Sequence, residues 1–337
     1  MQKVNYFVLT LVLVFVFGCV ENNPAGTAQY TNPEYPNQLK GFFYCGSDPI
    51  AAAFAPNTSV IWISEPDNNF LWYKDVSKAV VNPVICDTLK LDFSPGLIVS
   101  PPSGSDIYVH HYNTAQIFIV DTSILKRSLC YTATSSMQSM KLSSNGSVMY
   151  LGSQGMPRHI ESVSTDSWEL INSFEMEWPV NRLAVSPDGS IVAAANSARS
   201  EVFLFNGPEL IPIDTLFLPM RVGTMAFSEN SEELIVLDAA SLRPYMLKID
   251  VSTGEELYST RPLNSYLSCF VIEGTNTLLL PRNQDEGVSV LNMENMIFAP
   301  SIPADSKIGS VCASDDGEYI VTISRTTTPG TATVYTN

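Results

Sequence analysis

The sequence predicts an all-β chain, a seven-bladed β-propeller built from four-stranded antiparallel blades. Three observations lead there: a strand- and turn-forming composition, a four-strand unit repeating about every 42 residues, and a stray strand-like segment near the N-terminus. Of the 337 residues 45% are hydrophobic and only 15% charged, which is ample for a large core. Lys and Glu are sparse, whereas Pro, Ser, Thr, Asn and aromatics are plentiful, a bias toward strands and turns.

The repeat is clearest in Leu183-Ala-Val-Ser-Pro-Asp-Gly-Ser-Ile-Val-Ala-Ala-Ala-Asn196, followed by Glu201-Val-Phe-Leu-Phe-Asn206 and Leu210-Ile-Pro-Ile-Asp-Thr-Leu-Phe-Leu218. An apolar strand enters a tight turn, a second leaves it, and two more follow, which describes an antiparallel meander. Met140-Lys-Leu-Ser-Ser-Asn-Gly146, Met225-Ala-Phe-Ser-Glu-Asn230, Phe270 to Asn276 and Val311-Cys-Ala-Ser-Asp-Asp-Gly317 open further units. Two more degenerate units run through Ser59-Val-Ile-Trp-Ile63 and through Asp106 to Asp121, giving seven in all. A four-stranded unit of this length buries both faces against its neighbours, so the units form a closed ring. The last unit stops after three strands. The segment Lys40-Gly-Phe-Phe-Tyr-Cys45 has the pattern of the missing outer strand and is expected to complete the seventh blade. A solenoid of stacked strands would have shorter coils and no such orphan strand.

The first 18 residues read as an export signal. Lys3 is followed by an apolar run from Val4 to Phe17, too short for a comfortable bilayer span. It ends in Val16-Phe17-Gly18-Cys19, which resembles the lipobox of bacterial lipoproteins and implies acylation of Cys19 as the first mature residue. Diacyl attachment plus an amide-linked chain gives firm anchoring. Residues 19–37, rich in Pro and Asn, read as an extended tether, and 38–337 as the propeller. Val20 stands where an Asp would suggest inner-membrane retention, which favours the outer membrane. Besides Cys19 there are five cysteines, Cys45, Cys86, Cys130, Cys269 and Cys312. The odd number rules out a complete set of bridges within one chain. They read as buried apolar residues, with a Cys269–Cys312 bridge as the lesser alternative.

The units resemble those of YVTN-type bacterial and archaeal propellers over roughly residues 38–337. Ser186-Pro-Asp-Gly189, Ile107-Tyr-Val-His110, Ile117-Phe-Ile-Val-Asp121 and Leu247-Lys-Ile-Asp250 carry the resemblance. It implies the propeller fold and leaves function open, because this architecture hosts lactonases, redox subunits, scaffolds and adhesins.

A net charge of −16 disfavours nucleic acid and anionic lipid as partners, so any membrane association runs through the lipid alone. The sequence has no G-x-S-x-G elbow, phosphate-cradling glycine loop or H-E-x-x-H. His110, His111 and His159 are the only histidines, and neither zinc nor haem ligand spacing is present, so no cofactor is expected and a redox-partner role is disfavoured. His110 and His111 are adjacent on a strand, so they face opposite ways and read as packing or loop residues. Asp315-Asp316-Gly317 reads as the repeat turn rather than a calcium loop. Trp62, Phe70, Trp72 and Tyr73 read as packing between blades, with a sugar-stacking surface as the lesser reading.

The arginines are distributed unevenly. Loops joining second to third strands share a rim with the linkers between blades. Arg158, Arg199, Arg243, Arg282 and Arg325 fall in the first kind of loop, and Arg182, Arg221 and Arg261 in or beside the second. Only Arg127 of the nine maps to the other rim. Guanidinium groups around one mouth suit a carboxylate, sulfate or phosphate, and His159 stands beside Arg158. The sequence thus points to a monomeric, non-catalytic binding or scaffold module, gripping an envelope protein or an anionic glycan at an arginine-rich rim. The competing bland reading has these arginines bonding backbone carbonyls of the next blade. The alternative function is a lactonase-like or sugar-processing hydrolase.

Overall fold

The computed structural model describes Pro36 and residues 38–78, 86–239, 244–282, 286–304, 307–325 and 329–336. The export signal, Cys19, the tether as far as residue 35, and Arg243 lie outside them. The described residues form seven four-stranded antiparallel sheets and no helix. Blades 1 to 6 span residues 51–90, 95–132, 137–175, 182–217, 222–260 and 270–302. Blade 7 takes three strands from 308–336 and its outermost from Gln38–Tyr44.

Burial follows the radial order of the strands. In blade 4 the second strand, Ile191–Ala195, is almost wholly buried, while the outermost, Ile211–Phe217, is mostly exposed. Alternate residues of the inner strands face opposite neighbours, so apolar side chains are needed on both faces. In blade 1, Trp62 stacks on Tyr73 with ring centroids 4.5 Å apart and packs toward blade 2. Trp72, one residue from Tyr73, packs toward blade 7. These aromatics take the packing role.

The core divides into seven apolar clusters, each spanning two adjacent blades. An open row of seven sheets would have one interface fewer, so the equality establishes a closed ring. The seam is the N-terminal strand: Phe42 pairs with Thr333, Phe43 with Ala332 and Tyr44 with Thr331, antiparallel. The Cys45 N–H then donates to the Gly330 carbonyl at 3.0 Å. Phe43 is fully buried beside Ile61, Val321 and Val334, joining blades 7 and 1.

The turn between first and second strands uses one device in four blades. Ser186 Oγ donates to Asp188 Oδ1 (2.6 Å) and accepts the Ile191 N–H (2.9 Å). Ser143 with Asn145, Ser228 with Asn230 and Ser314 with Asp316 repeat it. Asp316 thus serves the turn. The next residue takes a left-handed backbone, Gly146 (φ 73°), Gly189 (φ 74°) and Gly317 (φ 68°), with Ser231 (φ 65°) in blade 5. Between third and fourth strands, Asp75, Asp121 and Asp250 each accept N–H and hydroxyl bonds from the residue two further on. Led by that serine hydroxyl, these bonds hold all three carboxyls below the usual range.

Polar bonds stitch neighbouring blades at about one repeat length. Ser139 Oγ donates to the Val180 carbonyl (2.9 Å), and Arg182 Nε to that of Gly223. Ser162 Oγ donates to Pro208 (2.6 Å), and Lys248 Nζ to Glu294 (3.0 Å). The five thiols are unbridged. Cys269 packs at the blade 5–6 interface and Cys312 in the blade 7–1 cluster. Different interfaces therefore separate the two, and the bridge weighed as an alternative is not formed.

Two outcomes are expected in chemical denaturation. Gly189 has open space around a would-be Cβ, whereas at Gly146 that atom would lie 2.5 Å from Pro102 Cδ. Gly189→Ala therefore costs about 1–2 kcal/mol for the left-handed backbone, and Gly146→Ala costs more, through overpacking. His110 is buried, and its Nε2–H donates to the Thr114 carbonyl at 2.9 Å. Burial lowers its pKa to about 4. Its ordinary value is near 6.5, so below that pH the unfolded chain takes up a proton that the folded one refuses. Stability on the order of 3 kcal/mol, present above pH 6.5, is lost as the pH falls toward 4. His110→Gln, which keeps a donor for Thr114, should flatten that slope.

Candidate functional site

The antiparallel order of every blade places the loops between second and third strands, and the linkers between blades, at one rim. Arg158, Arg199, Arg282 and Arg325 lie in those loops, Arg221 and Arg261 in the linkers, and Arg182 opens the first strand of blade 4. Arg127 is the second residue of an outer strand at the opposite rim, paired with Asp92. The shared rim is as expected, but the arginines on it occupy separate environments.

Several are engaged in holding the ring. Arg325 grips Asp48 through two bonds, Nε to Oδ1 (2.7 Å) and Nη2 to Oδ2 (3.0 Å), tying blade 7 to the segment entering blade 1. Arg282 Nε donates to Ser289 Oγ within blade 6 at 3.0 Å. Arg261 lies 5.2 Å from the Tyr245 ring centroid. Arg182 reaches the Gly223 carbonyl of blade 5 and also donates Nη1 to Asn181 O (2.8 Å). Burial lowers its pKa from the ordinary arginine value. It stands on the wall of the axial channel rather than on the outer rim.

His159 is withdrawn from the rim altogether. It is buried, and its Nε2 lies 2.8 Å from Oε1 of Glu161, a fully buried carboxylate. Glu161 also accepts the Tyr131 hydroxyl (3.0 Å) and the Thr134 N–H (3.0 Å). Burial first, then the Glu161 charge, pushes the Tyr131 phenol well above its usual value. The cluster clamps the outer strand of blade 2 to the third strand of blade 3. In His159-Ile-Glu-Ser-Val163 the pleat sends residues two apart to one face, which sets Glu161 beside His159. The sequence signal for Glu161 was an acidic residue in the middle of a strand, between Ile160 and Val163.

A second group does come together, over blades 3 to 5. Trp178 sits half-buried in the linker between blades 3 and 4, and the Arg199 guanidinium carbon lies 3.8 Å from its ring centroid. Arg158 Nη1 donates to the carbonyl of Glu177, next to Trp178, at 2.6 Å. The Val222 N–H donates to the Arg199 carbonyl (3.1 Å), which sets exposed Arg221 beside Arg199. Glu201 is a distant partner of Arg199 at 3.9 Å, and among the described residues no side-chain bond occupies Arg221. The result is a strip of three cations, of which Arg199 lies over the indole and Arg158 and Arg221 lie to either side along the chain contacts. Stacking on Trp178 positions Arg199 while leaving its edge nitrogens for an acceptor. Sequence reasoning looked for aromatics in blade 1 and missed Trp178. Its signal was a tryptophan in a linker, beside the rim arginines.

Removing the carboxylate at the buried clamp leaves the Tyr131 hydroxyl, the Thr134 N–H and His159 without their acceptor. Glu161→Leu should therefore cost about 3–5 kcal/mol, read as a lowered denaturation midpoint.

No family model matches this sequence, and no curated protein does.

Proposed function

We propose that this chain is a lipid-anchored, extracytoplasmic binding propeller that grips an acidic partner at the Arg158–Trp178–Arg199–Arg221 strip. The observation that carries the reading is Arg199, held over the Trp178 ring with exposed Arg221 beside it, on a chain of net charge −16. Such a strip concentrates positive charge where the rest of the surface repels acids. Guanidinium edges bind carboxylate or sulfate through paired bonds, and the aromatic body adds apolar contact for a sugar ring or an apolar side chain.

The partner class is an envelope protein with an acidic loop, or a carboxylated or sulfated glycan. Anchoring rests on the Val16-Phe17-Gly18-Cys19 pattern and its apolar leader, and residues 20–37 would let the ring stand off the membrane. The outer membrane is the preferred site, since Val20 follows Cys19. The alternative, a lactonase-like or sugar-processing hydrolase, draws less support. His159, its obvious proton carrier, is bonded to Glu161 and buried.

The test is retention of the full chain carrying Cys19→Ala on an immobilised polysaccharide bearing uronate and sulfate, and on envelope protein extract. Wild-type rim residues should give binding that weakens with salt. Arg199→Glu with Arg221→Glu should weaken it at least tenfold, with the denaturation midpoint unchanged. Equal retention of a folded double variant would defeat the proposal.

A further inference from the structure

The first strands of all seven blades enclose an axial channel of about 480 Å³. That volume lies in the range of small-ligand sites, roughly 300–1,000 Å³. Much of the wall is small or apolar, as at Ala51, Ala53, Val99 and Val271. Four charged residues interrupt it: Lys141 on blade 3, Arg182 on blade 4, Glu273 on blade 6 and Asp315 on blade 7.

Their arrangement is polarised. The two cations belong to neighbouring blades, the two acids to another neighbouring pair, and in a ring of seven these pairs stand nearly opposite. They also differ in depth. Glu273 and Asp315 lie in turns that follow the first strands, at one mouth. Arg182 begins its strand, toward the other mouth, and Lys141 lies between. Crowding by the walls and then the nearby Asp315 charge raise the Glu273 carboxyl, and Lys141 lowers it. Lys141 and Glu273 therefore sense each other across the lumen. Yet among the described residues neither has an ion-pair partner. Asp315 commits one oxygen to the Asn57 N–H at 2.8 Å and has the second to offer.

Opposite charges facing one another across a cavity without meeting leave room for a molecule that joins them. A dianion would be repelled by the acid pair, and a polycation by Lys141 and Arg182. We propose that the channel binds a short peptide with free termini, its carboxylate on Lys141 and Arg182 and its ammonium on Glu273 and Asp315. An extended tripeptide spans roughly 10 Å, so it can lie along the axis between the two pairs. The inner strands can also serve a peptide backbone. Register slips beside Gln138 and Gly309 interrupt the pairing of two first strands on the wall. This site is separate from the rim strip.

The test is equilibrium dialysis of the full chain carrying Cys19→Ala against a random tripeptide mixture, with mass spectrometry of what is retained. Peptides with both termini free should be enriched. The same mixture N-acetylated, or C-amidated, should be retained at least tenfold less. Lys141→Met and Glu273→Gln should each reduce retention at least tenfold at an unchanged denaturation midpoint. Arg199→Glu with Arg221→Glu should leave it intact, which separates failure here from failure of the rim proposal. Absence of enrichment, equal retention of either blocked mixture, or full retention by folded Lys141→Met with Glu273→Gln overturns the inference.

Discussion

The pairing of Gln38–Tyr44 with Thr331–Thr336 is the constraint on which the rest depends. Each blade has two apolar faces, and a face without a neighbour is exposed oil. Only a ring covers all of them, and only this seam closes the ring. Without it, Phe43 leaves the cluster it shares with Ile61 and Val334, and blades 7 and 1 lose the strand between them. Joining segments almost a full chain apart costs loop entropy of roughly 5 kcal/mol. The apolar area buried around Phe43, with the antiparallel ladder, must offset that cost.

Closure also explains how the arginines are used. Neighbouring blades meet at an angle, and carbonyls of the linkers and of the turns between third and fourth strands point across the gaps. Donors from one blade satisfy acceptors of the next at about one repeat, as Ser139 does for Val180, Ser162 for Pro208 and Lys248 for Glu294. Arg182 and Arg325 belong to the same economy of buried and half-buried acceptors. A rim rich in arginine is thus first a joint between blades. What is left on the outer rim to meet another molecule is the part not spent on joints, and that part gathers around Trp178; in the channel, Arg182 keeps Nη2 beyond the two bonds it spends on the joint.

The fold was legible in the sequence because its determinants are local and repeated. Each unit carries its own Ser–x–Asx turn and its own alternating apolar run, so seven weak signals reinforce one another. Even the seam could be read, since a three-strand remainder at one end matched an orphan strand at the other. The site was only half legible. Topology sends Arg158, Arg199 and Arg325 to the same rim, but whether each faces solvent or a carbonyl depends on residues far along the chain, such as Asp48 for Arg325. His159 shows the limit well. Nothing near it in sequence indicates that Tyr131 and Thr134 would close over Glu161 and draw the imidazole inward. The channel charges were invisible for the same reason: Lys141 and Glu273 come to face each other across the lumen only once the ring is complete.

The five unbridged cysteines have a consequence of their own. Burial raises the thiols of Cys86 and Cys130 to about 12 and holds those of Cys45, Cys269 and Cys312 up as well. Sulfur reacts as thiolate, and almost none exists at such values. In oxidising surroundings the finished ring is therefore chemically quiet, whereas the nascent chain offers five reactive sulfurs with no consistent way to pair. Were the chain to fold in oxidising surroundings, protection would come from each blade burying its sulfur before another sulfur reached it.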